Sequence, residues 1–198
     1  GTNIRLNSKT ALDVNYTKNE RNIILRYGEI YVETGKDNLK RPFKVLNQHG
    51  QMLALGTAFN VNQQKDQTIL TVVEHTVEIT TMQTKQKQKV KSKQKLSFNN
   101  KHISPIGNLP VEGLPWLKGL VTVNRISVKD IAEIIEKNYG VTVYLDKESN
   151  EQLINQIEIS GSFPINDLDR TVVLLESTYP IKISKSFWGN KLKVYSIK

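Results

Sequence analysis

Residues 53–62 read LALGTAFNVN, and this short stretch indicates the structural class of the first half of the chain. Large side chains alternate with small ones: the large are Leu53, Leu55, Phe59 and Val61, and the small are Ala54, Gly56 and Ala58. A period of two is typical of a β-strand, because successive side chains point to opposite faces of the sheet. A glycine inside a strand costs packing and backbone entropy, so Gly56 predicts a bend or the close approach of another backbone.

Short β-like runs separated by turn residues fill the chain from about Thr10 to Phe98. Gly28 lies between two of these runs, NIILRY and EIYVET, and is taken as a separator. The pattern predicts an all-β domain over residues 1–98, built as a sandwich, a roll or a β-helix-like unit. Residues 99–115 hold three of the six prolines and predict a connector.

The pattern changes over residues 116–198, where strands and helices follow in the order βαβ and then βαββ. Ser127 and Asp130 have the spacing of a capping box for the first helix, and Gly140 is placed to end it. Asn166 is the expected cap of the second helix. We therefore predict a small C-terminal domain with duplicated βαβ units and an α+β fold class for the whole chain.

The formal net charge of +9 is concentrated in one segment. Seven lysines and no acidic residue lie between Lys85 and Lys101, so the rest of the chain carries only +2. If residues 85–95 are extended, alternate lysines share one face and could neutralise phosphates, which keeps a nucleic-acid-binding domain as an alternative. We favour a solvated edge, because no aromatic residue lies among these lysines to stack on bases.

Catalytic and metal-binding motifs are absent from the sequence. There is no cysteine, and His49, His75 and His102 have no second ligand at metal spacing, so we expect no metal, no cofactor and no turnover enzyme. No apolar run is long enough to span a membrane. Because the chain starts at Gly1, we expect an internal start, with a membrane anchor outside it. An envelope adhesion or carbohydrate module is a further alternative.

Seven segments between about Thr10 and Ile183 carry a family resemblance. They are TALDVNY, GEIYVETG, RPFKVLNQHG, ALGTAFNV, VVEHTVEI, PWLKGLVTVNRISVKDIAEIIEKNYG and ISGSFPINDLDRTVVLLESTYPIKI. In this order they resemble the periplasmic region of FecR-type transmembrane anti-sigma regulators. The resemblance implies a FecR-like domain at 1–98 and a secretin/TonB short N-terminal type domain at 116–198. It also implies a cytoplasmic sigma-binding domain and one transmembrane helix, both outside this chain.

The family resemblance also implies a function. In that family, a siderophore-loaded TonB-dependent outer-membrane transporter presents its periplasmic signalling domain to this region. Periplasmic and intramembrane proteases then free an extracytoplasmic-function sigma factor. We therefore expect a periplasmic signal-relay region of an inner-membrane protein that controls iron uptake, without a nucleic-acid partner and attached to the membrane only through the missing helix.

The partner site is expected in the C-terminal domain. A polar loop precedes the run IEIS, which predicts an edge strand able to add a partner strand. Trp188, in the segment SFWGN, is the expected aromatic contact. The predicted partner-binding residues are Ile157, Glu158, Ile159, Ser160 and Trp188.

Some members of the resembled family are reported to cleave their own chain within the motif shared with residues 53–62, which implies Gly56 and Thr57 as the cleavage site here. The Thr57 hydroxyl could attack the Gly56 carbonyl carbon, and water would hydrolyse the resulting ester. The alternative is that Gly56 is a bend and Thr57 an ordinary strand residue. The sequence assigns neither His49 nor His75 as a base.

Overall fold

A computed structural model describes residues 1–54, 56–109, 113–146, 156–186 and 190–196 of the chain. The fold is mostly β, as predicted for its larger part, with one large curled sheet and two α-helices within these ranges. The chain divides into two compact units, Gly1–Gly113 and Leu114–Lys198, called domain 1 and domain 2 below. No helix in the described ranges has the length and apolar character needed to cross a membrane.

In its described residues, domain 1 forms a single sheet of eleven strands. The strands are β1 (Asn3–Leu6), β2 (Ala11–Tyr16), β3 (Arg21–Glu33), β4 (Phe43–Asn47), β5 (Gly50–Ala54), β6 (Ala58–Gln63), β7 (Thr68–Glu74), β8 (Thr76–Thr81), β9 (Lys87–Lys91), β10 (Gln94–Phe98) and β11 (Gly107–Asn108). Their order in the sheet is β11, β10, β7, β6, β3, β4, β5, β8, β9, and β1 and β2 also pair with β3. Alternate residues of β4, β5 and β8 are buried in the core, as the period of two predicts.

The long strand β3 connects the two halves of this sheet. Its first half pairs with β2 and β4, and its second half pairs with β1 and β6. The predicted strand break at Gly28 is wrong, since β3 continues through it. Gly28 has a φ of +93°, and a Cβ there would lie 2.6 Å from the Lys9 carbonyl oxygen. A close backbone contact therefore explains this glycine.

The stretch 53–62 forms parts of two strands rather than one. β5 ends at Ala54 and β6 begins at Ala58, so Gly56 and Thr57 lie in the connection between them. Part of the predicted connector 99–115 also belongs to the sheet, because β11 pairs with β10 and Ile103 forms a bridge with Phe98. Residues 103, 107 and 108 belong to the sheet because they pair with a distant strand. Such short pairings produce no periodic pattern in the sequence, so they were not predicted.

In its described residues, domain 2 has two small sheets and two α-helices of more than one turn. Its elements are a short 3-10 helix (Pro115–Lys118), β12 (Leu120–Ser127), α1 (Val128–Tyr139), β13 (Thr142–Leu145), β14 (Glu158–Pro164), α2 (Leu168–Thr178), β15 (Ile181–Lys185) and β16 (Lys191–Ser196). β12 pairs with β14 in an antiparallel ladder, and β16 lies between β13 and β15. The two strands that flank each helix thus belong to different sheets.

The helix boundaries follow local capping chemistry. Asp130 N donates to Ser127 Oγ at 3.1 Å, the Asp130 carboxylate accepts from Ser127 N, and Gly140 ends α1 at a φ of +67°, all as predicted. The predicted cap of α2 at Asn166 is wrong. The helix begins one residue later, and the Asp167 carboxylate accepts from Arg170 N at 2.9 Å.

The two halves of domain 2 repeat the same contact at an offset of 40 positions. Glu136 accepts a hydrogen bond from Val143 N at 2.8 Å, and Glu176 accepts one from Ile183 N at 2.8 Å. In each half a glutamate from the end of a helix therefore binds the backbone of the following strand. The apolar faces of α1 and α2 meet the strands in one core, where Ile135 and Leu175 are both almost fully buried.

Candidate functional site

The connection between β5 and β6 contains the predicted cleavage site. Gly56 is exposed, has a φ of +71°, and would have no neighbouring atom within 4 Å of an added Cβ. Of the two explanations that the sequence predicts for this glycine, the close backbone is wrong and the bend is confirmed. Gly56 forms a bend, and its positive φ, which strains residues that carry a Cβ, explains the glycine.

The backbone of Thr57 is held by Thr34, the residue after β3. Thr57 N donates to Thr34 Oγ1 at 2.6 Å, and Thr34 Oγ1 donates to the Thr57 carbonyl oxygen at 3.0 Å. Thr34 N donates to the same carbonyl oxygen, also at 3.0 Å. Three hydrogen bonds from one residue therefore fix both backbone polar groups of Thr57.

The side chain of Thr57 is buried, with 3% of the residue exposed. Its Oγ1 atom has no hydrogen-bond partner among the described residues. Buried hydroxyl groups normally have one, and leaving such a group unsatisfied costs about 1–3 kcal/mol. Thr57 therefore presents a desolvated hydroxyl directly after an exposed glycine with positive φ.

Neither of the two histidines considered as a base, His49 and His75, hydrogen-bonds to that hydroxyl. His49 is buried and its Nδ1 lies 2.8 Å from Thr68 Oγ1, and burial lowers the pKa of His49. His75 is exposed in the turn between β7 and β8. The pairing of Ala54 with Val77 and of Ala58 with Glu74 places that turn beside the connection between β5 and β6. The base thus stays unassigned, as it was from the sequence.

The predicted partner-binding residues are mostly in or next to β14. Ile157 precedes the strand, Ile159 is fully buried and pairs with Ile126 of β12, and Ser160 is exposed. Glu158 is exposed and accepts a hydrogen bond from Arg125 Nε at 2.7 Å, which lowers the pKa of Glu158 and raises the pKa of Arg125. Trp188 lies outside the described residues.

The outer edge of β14, away from β12, is partly closed by tyrosines. Ser160 N donates to the Tyr179 hydroxyl at 2.8 Å, and that hydroxyl donates back to the Ser160 carbonyl oxygen at 2.7 Å. The Pro164 carbonyl oxygen accepts from the hydroxyls of Tyr139 and Thr171. Ser162 lies between Ser160 and Pro164, and its backbone N–H and carbonyl oxygen also point to this outer side.

The outer edge of β12 is open in the part of the chain that the structure describes. Ile165 N donates to the Gly119 carbonyl oxygen at 2.8 Å, so alternate residues starting from Gly119 face β14. Leu120 and Thr122 therefore point their backbone groups outward, where no described residue pairs with them. Sequence reasoning missed this edge, because the tyrosine contacts that distinguish β12 from β14 are tertiary.

The lysine-rich segment is not one extended strand. Lys87, Lys89 and Lys91 are exposed and alternate along β9. Lys93 lies in the following turn with a φ of +62°, and Lys95 belongs to β10. The condition for a single face of lysines over residues 85–95, one extended segment, is therefore not met, and only three of these lysines line β9. β9 is the last strand in the order of the sheet, which agrees with the solvated edge that we favour.

Comparison with known proteins finds one similar family and two similar crystal structures. A family model described as FecR protein matches residues 1–78, which confirms the resemblance over this part of the chain. Two crystal structures of a candidate anti-sigma factor from Parabacteroides distasonis ATCC 8503 are similar in fold, each with a TM-score of 0.70 and 21% identity. The similarity covers 100% of this chain and 92% and 91% of those chains. No curated protein matches the chain.

Proposed function

We propose that the chain is the periplasmic signal-relay region of a FecR-type, inner-membrane anti-sigma regulator. The family match over residues 1–78 carries this proposal, and the similarity in fold to a candidate anti-sigma factor supports it. The region binds the signalling domain of a siderophore-loaded TonB-dependent transporter and turns over no substrate. Periplasmic and intramembrane proteases then release an extracytoplasmic-function sigma factor from a cytoplasmic domain outside this chain.

The partner binds domain 2 by adding a strand to the sheet formed by β12 and β14. Strand addition uses the unpaired backbone groups of a sheet edge. Tyr179 occupies those groups at Ser160 on β14, whereas Leu120 and Thr122 on β12 point theirs outward. We therefore place the partner strand on β12, with the predicted residues of β14 forming the neighbouring strand.

Two proline variants test this surface as a matched pair. Thr122 and Ser162 lie opposite each other, their hydroxyl oxygens are 2.8 Å apart, and the N–H of each points away from the β12–β14 ladder. A proline at either position removes one outward donor and leaves the ladder bonds in place. A proline at Ile159 would instead remove a donor to β12 within the core.

Binding to purified transporter signalling domains is the measurement, for instance by calorimetry. We expect Thr122→Pro to abolish detectable binding and Ser162→Pro to retain it. The reverse pattern would move the partner strand to β14. If the wild-type chain binds none of the signalling domains of transporters from its own organism, the relay proposal is wrong.

We propose, as a second activity, a single self-cleavage between Gly56 and Thr57. The buried, unpartnered Thr57 hydroxyl beside an exposed glycine with positive φ supports it. Thr57 Oγ1 forms a bond to the Gly56 carbonyl carbon, the C–N bond breaks, and the hydroxyl proton ends on the departing amine nitrogen. Water then hydrolyses the ester, giving a Gly56 carboxylate and restoring the Thr57 hydroxyl.

Denaturing gels of protease-free protein test the cleavage. We expect two bands from a wild-type protein that elutes as one particle, because strand pairing between β3 and β6 holds the fragments together. Thr57→Ala should leave one band, and Thr57→Ser should still cleave. Two bands from Thr57→Ala would show that another group breaks the chain.

A further inference from the structure

The hydrogen-bond pattern between β3 and β6 changes just beyond the last pair of their ladder. Glu33 pairs with Ala58, so Thr34 and Thr57 are the next residues in the ladder. In a regular antiparallel pair, Thr57 N would donate to the Thr34 carbonyl oxygen in return for the bond from Thr34 N. Here Thr57 N donates to the Thr34 hydroxyl at 2.6 Å instead. A side chain has replaced a backbone acceptor next to the peptide bond that is proposed to break.

This replacement leaves the Thr57 hydroxyl and the Thr57 backbone in different situations. Threonine hydroxyls commonly hydrogen-bond to backbone groups nearby in their own segment. The Thr34 hydroxyl already occupies the N–H and the carbonyl oxygen of Thr57. Thr57 Oγ1 is buried without a partner among the described residues. Thr34 thus leaves the nucleophile free while it fixes the backbone that carries it.

We propose that Thr34 is a positioning residue for cleavage at Gly56–Thr57, an inference that rests on the cleavage proposed above. By holding the amide and the carbonyl of Thr57, Thr34 restricts the directions from which Oγ1 approaches the Gly56 carbonyl carbon. A well-oriented neighbouring nucleophile accelerates a reaction by orders of magnitude. When the C–N bond breaks, the new amine remains hydrogen-bonded to Thr34 Oγ1, which is neither consumed nor changed in charge.

Thr10 provides a matched control within the same sheet. Glu29 N donates to Thr10 Oγ1 at 3.0 Å, and Thr10 Oγ1 donates to the Glu29 carbonyl oxygen at 3.2 Å. Thr10 thus makes the same two hydrogen bonds to the backbone of Glu29 that Thr34 makes to the backbone of Thr57. No cleavage is proposed at Glu29. Thr10→Val and Thr34→Val each remove such a pair of bonds at nearly constant side-chain volume.

The experiment follows the appearance of fragments from the freshly translated full-length chain. We expect Thr34→Val to slow cleavage about 100-fold, as for a misplaced reacting group, and Thr10→Val to change it less than about threefold. Thr34→Ser, which keeps the hydroxyl, should restore the wild-type rate. Hydroxylamine should trap less ester at Gly56 in Thr34→Val than in Thr10→Val. Thermal unfolding of both valine variants shows whether they fold equally.

The outcomes separate the two proposals. If Thr34→Val cleaves as fast as Thr10→Val, the positioning role is wrong and the cleavage stands. If Thr34→Val does not fold, Thr34→Ala against Thr34→Ser decides, and equal rates overturn the role. If the wild-type chain never cleaves, the proposed cleavage fails and the role of Thr34 fails with it.

Discussion

Two sites in domain 1 have nearly the same backbone arrangement. At Gly28–Glu29 and at Gly56–Thr57, a glycine with positive φ precedes a residue whose N–H and carbonyl oxygen are both bound by a threonine hydroxyl. Thr10 supplies that hydroxyl at the first site and Thr34 at the second. The threonine contact by itself is therefore a structural feature of this sheet, and it does not identify a reactive site.

The two sites differ in the side chain that follows the glycine. The Glu29 carboxylate accepts from Asn7 Nδ2 at 2.8 Å and from Asn60 Nδ2 at 2.9 Å. Thr57 Oγ1 is buried and accepts from no described residue. The glycines differ as well, because Gly28 is packed against the Lys9 and Thr10 backbone and Gly56 is open to solvent. Of these two sites, only the second combines a hydroxyl without a described partner and an exposed glycine.

The glycines give the largest expected contrast. In a Thr57→Ala background, which keeps the chain intact, Gly28→Ala should lower the free energy of unfolding by about 3 kcal/mol or more. Positive φ and overlap with the Lys9 carbonyl both contribute there. Gly56→Ala should cost about 1–2 kcal/mol, since only φ is strained. Denaturant unfolding measures both, and equal losses would show that Gly28 is not packed as described.

The threonines should have similar effects on stability. Thr10→Val and Thr34→Val, again in the Thr57→Ala background, each remove the acceptor of one backbone N–H, at a cost of about 1–3 kcal/mol. Each affected carbonyl keeps a backbone donor, from Asn7 N at the first site and from Thr34 N at the second. Chemical denaturation should place the two variants within about 1 kcal/mol of each other. If Thr34→Val lost much more unfolding free energy than Thr10→Val, its slower cleavage would be explained by unfolding.

Moving the hydroxyl to the first site should have the smallest effect on cleavage. Glu29→Thr places a threonine after Gly28, beside the bound hydroxyl of Thr10. We expect no break at Gly28–Glu29, because this peptide lies inside β3 and is packed against neighbouring backbone. Mass spectrometry of the denatured variant checks this. Fragments ending at Gly28 would show that the threonine contact and a hydroxyl suffice without an exposed peptide.

Local chemistry determined which parts of the fold the sequence predicted correctly. The capping box of Ser127 and Asp130 and the stop at Gly140 involve residues close in the chain, and all three were predicted. The sequence predicts a separator at Gly28 and a strand around Gly56, yet β3 runs through the first, and the second lies between β5 and β6. Strands that are distant in the sequence determine whether a strand continues through a glycine, and a local sequence pattern does not contain them.

The candidate sites show the same limit. Gly56 and Thr57 were singled out from the motif, whereas the contacts of Thr57 with Thr34 cross 23 positions and appear only in the folded chain. The edge strand was expected at residues 157–160, and the Tyr179 hydroxyl that binds the backbone of Ser160 lies 19 residues from it in the sequence. Residue type therefore suggested the chemistry, and the tertiary contacts determine which groups remain free.

The intact mass of the purified, denatured wild-type chain tests the central claim most directly, namely that the free hydroxyl of Thr57 breaks the preceding peptide bond. We expect two species, residues 1–56 and residues 57–198, whose masses add up to that of the full chain plus one water. The second species should begin with a free amine at Thr57, and Thr57→Ala should give the full-length mass alone. A wild-type chain of full mass, or a break at any other bond, would contradict the claim and leave Gly56 as a bend between two strands.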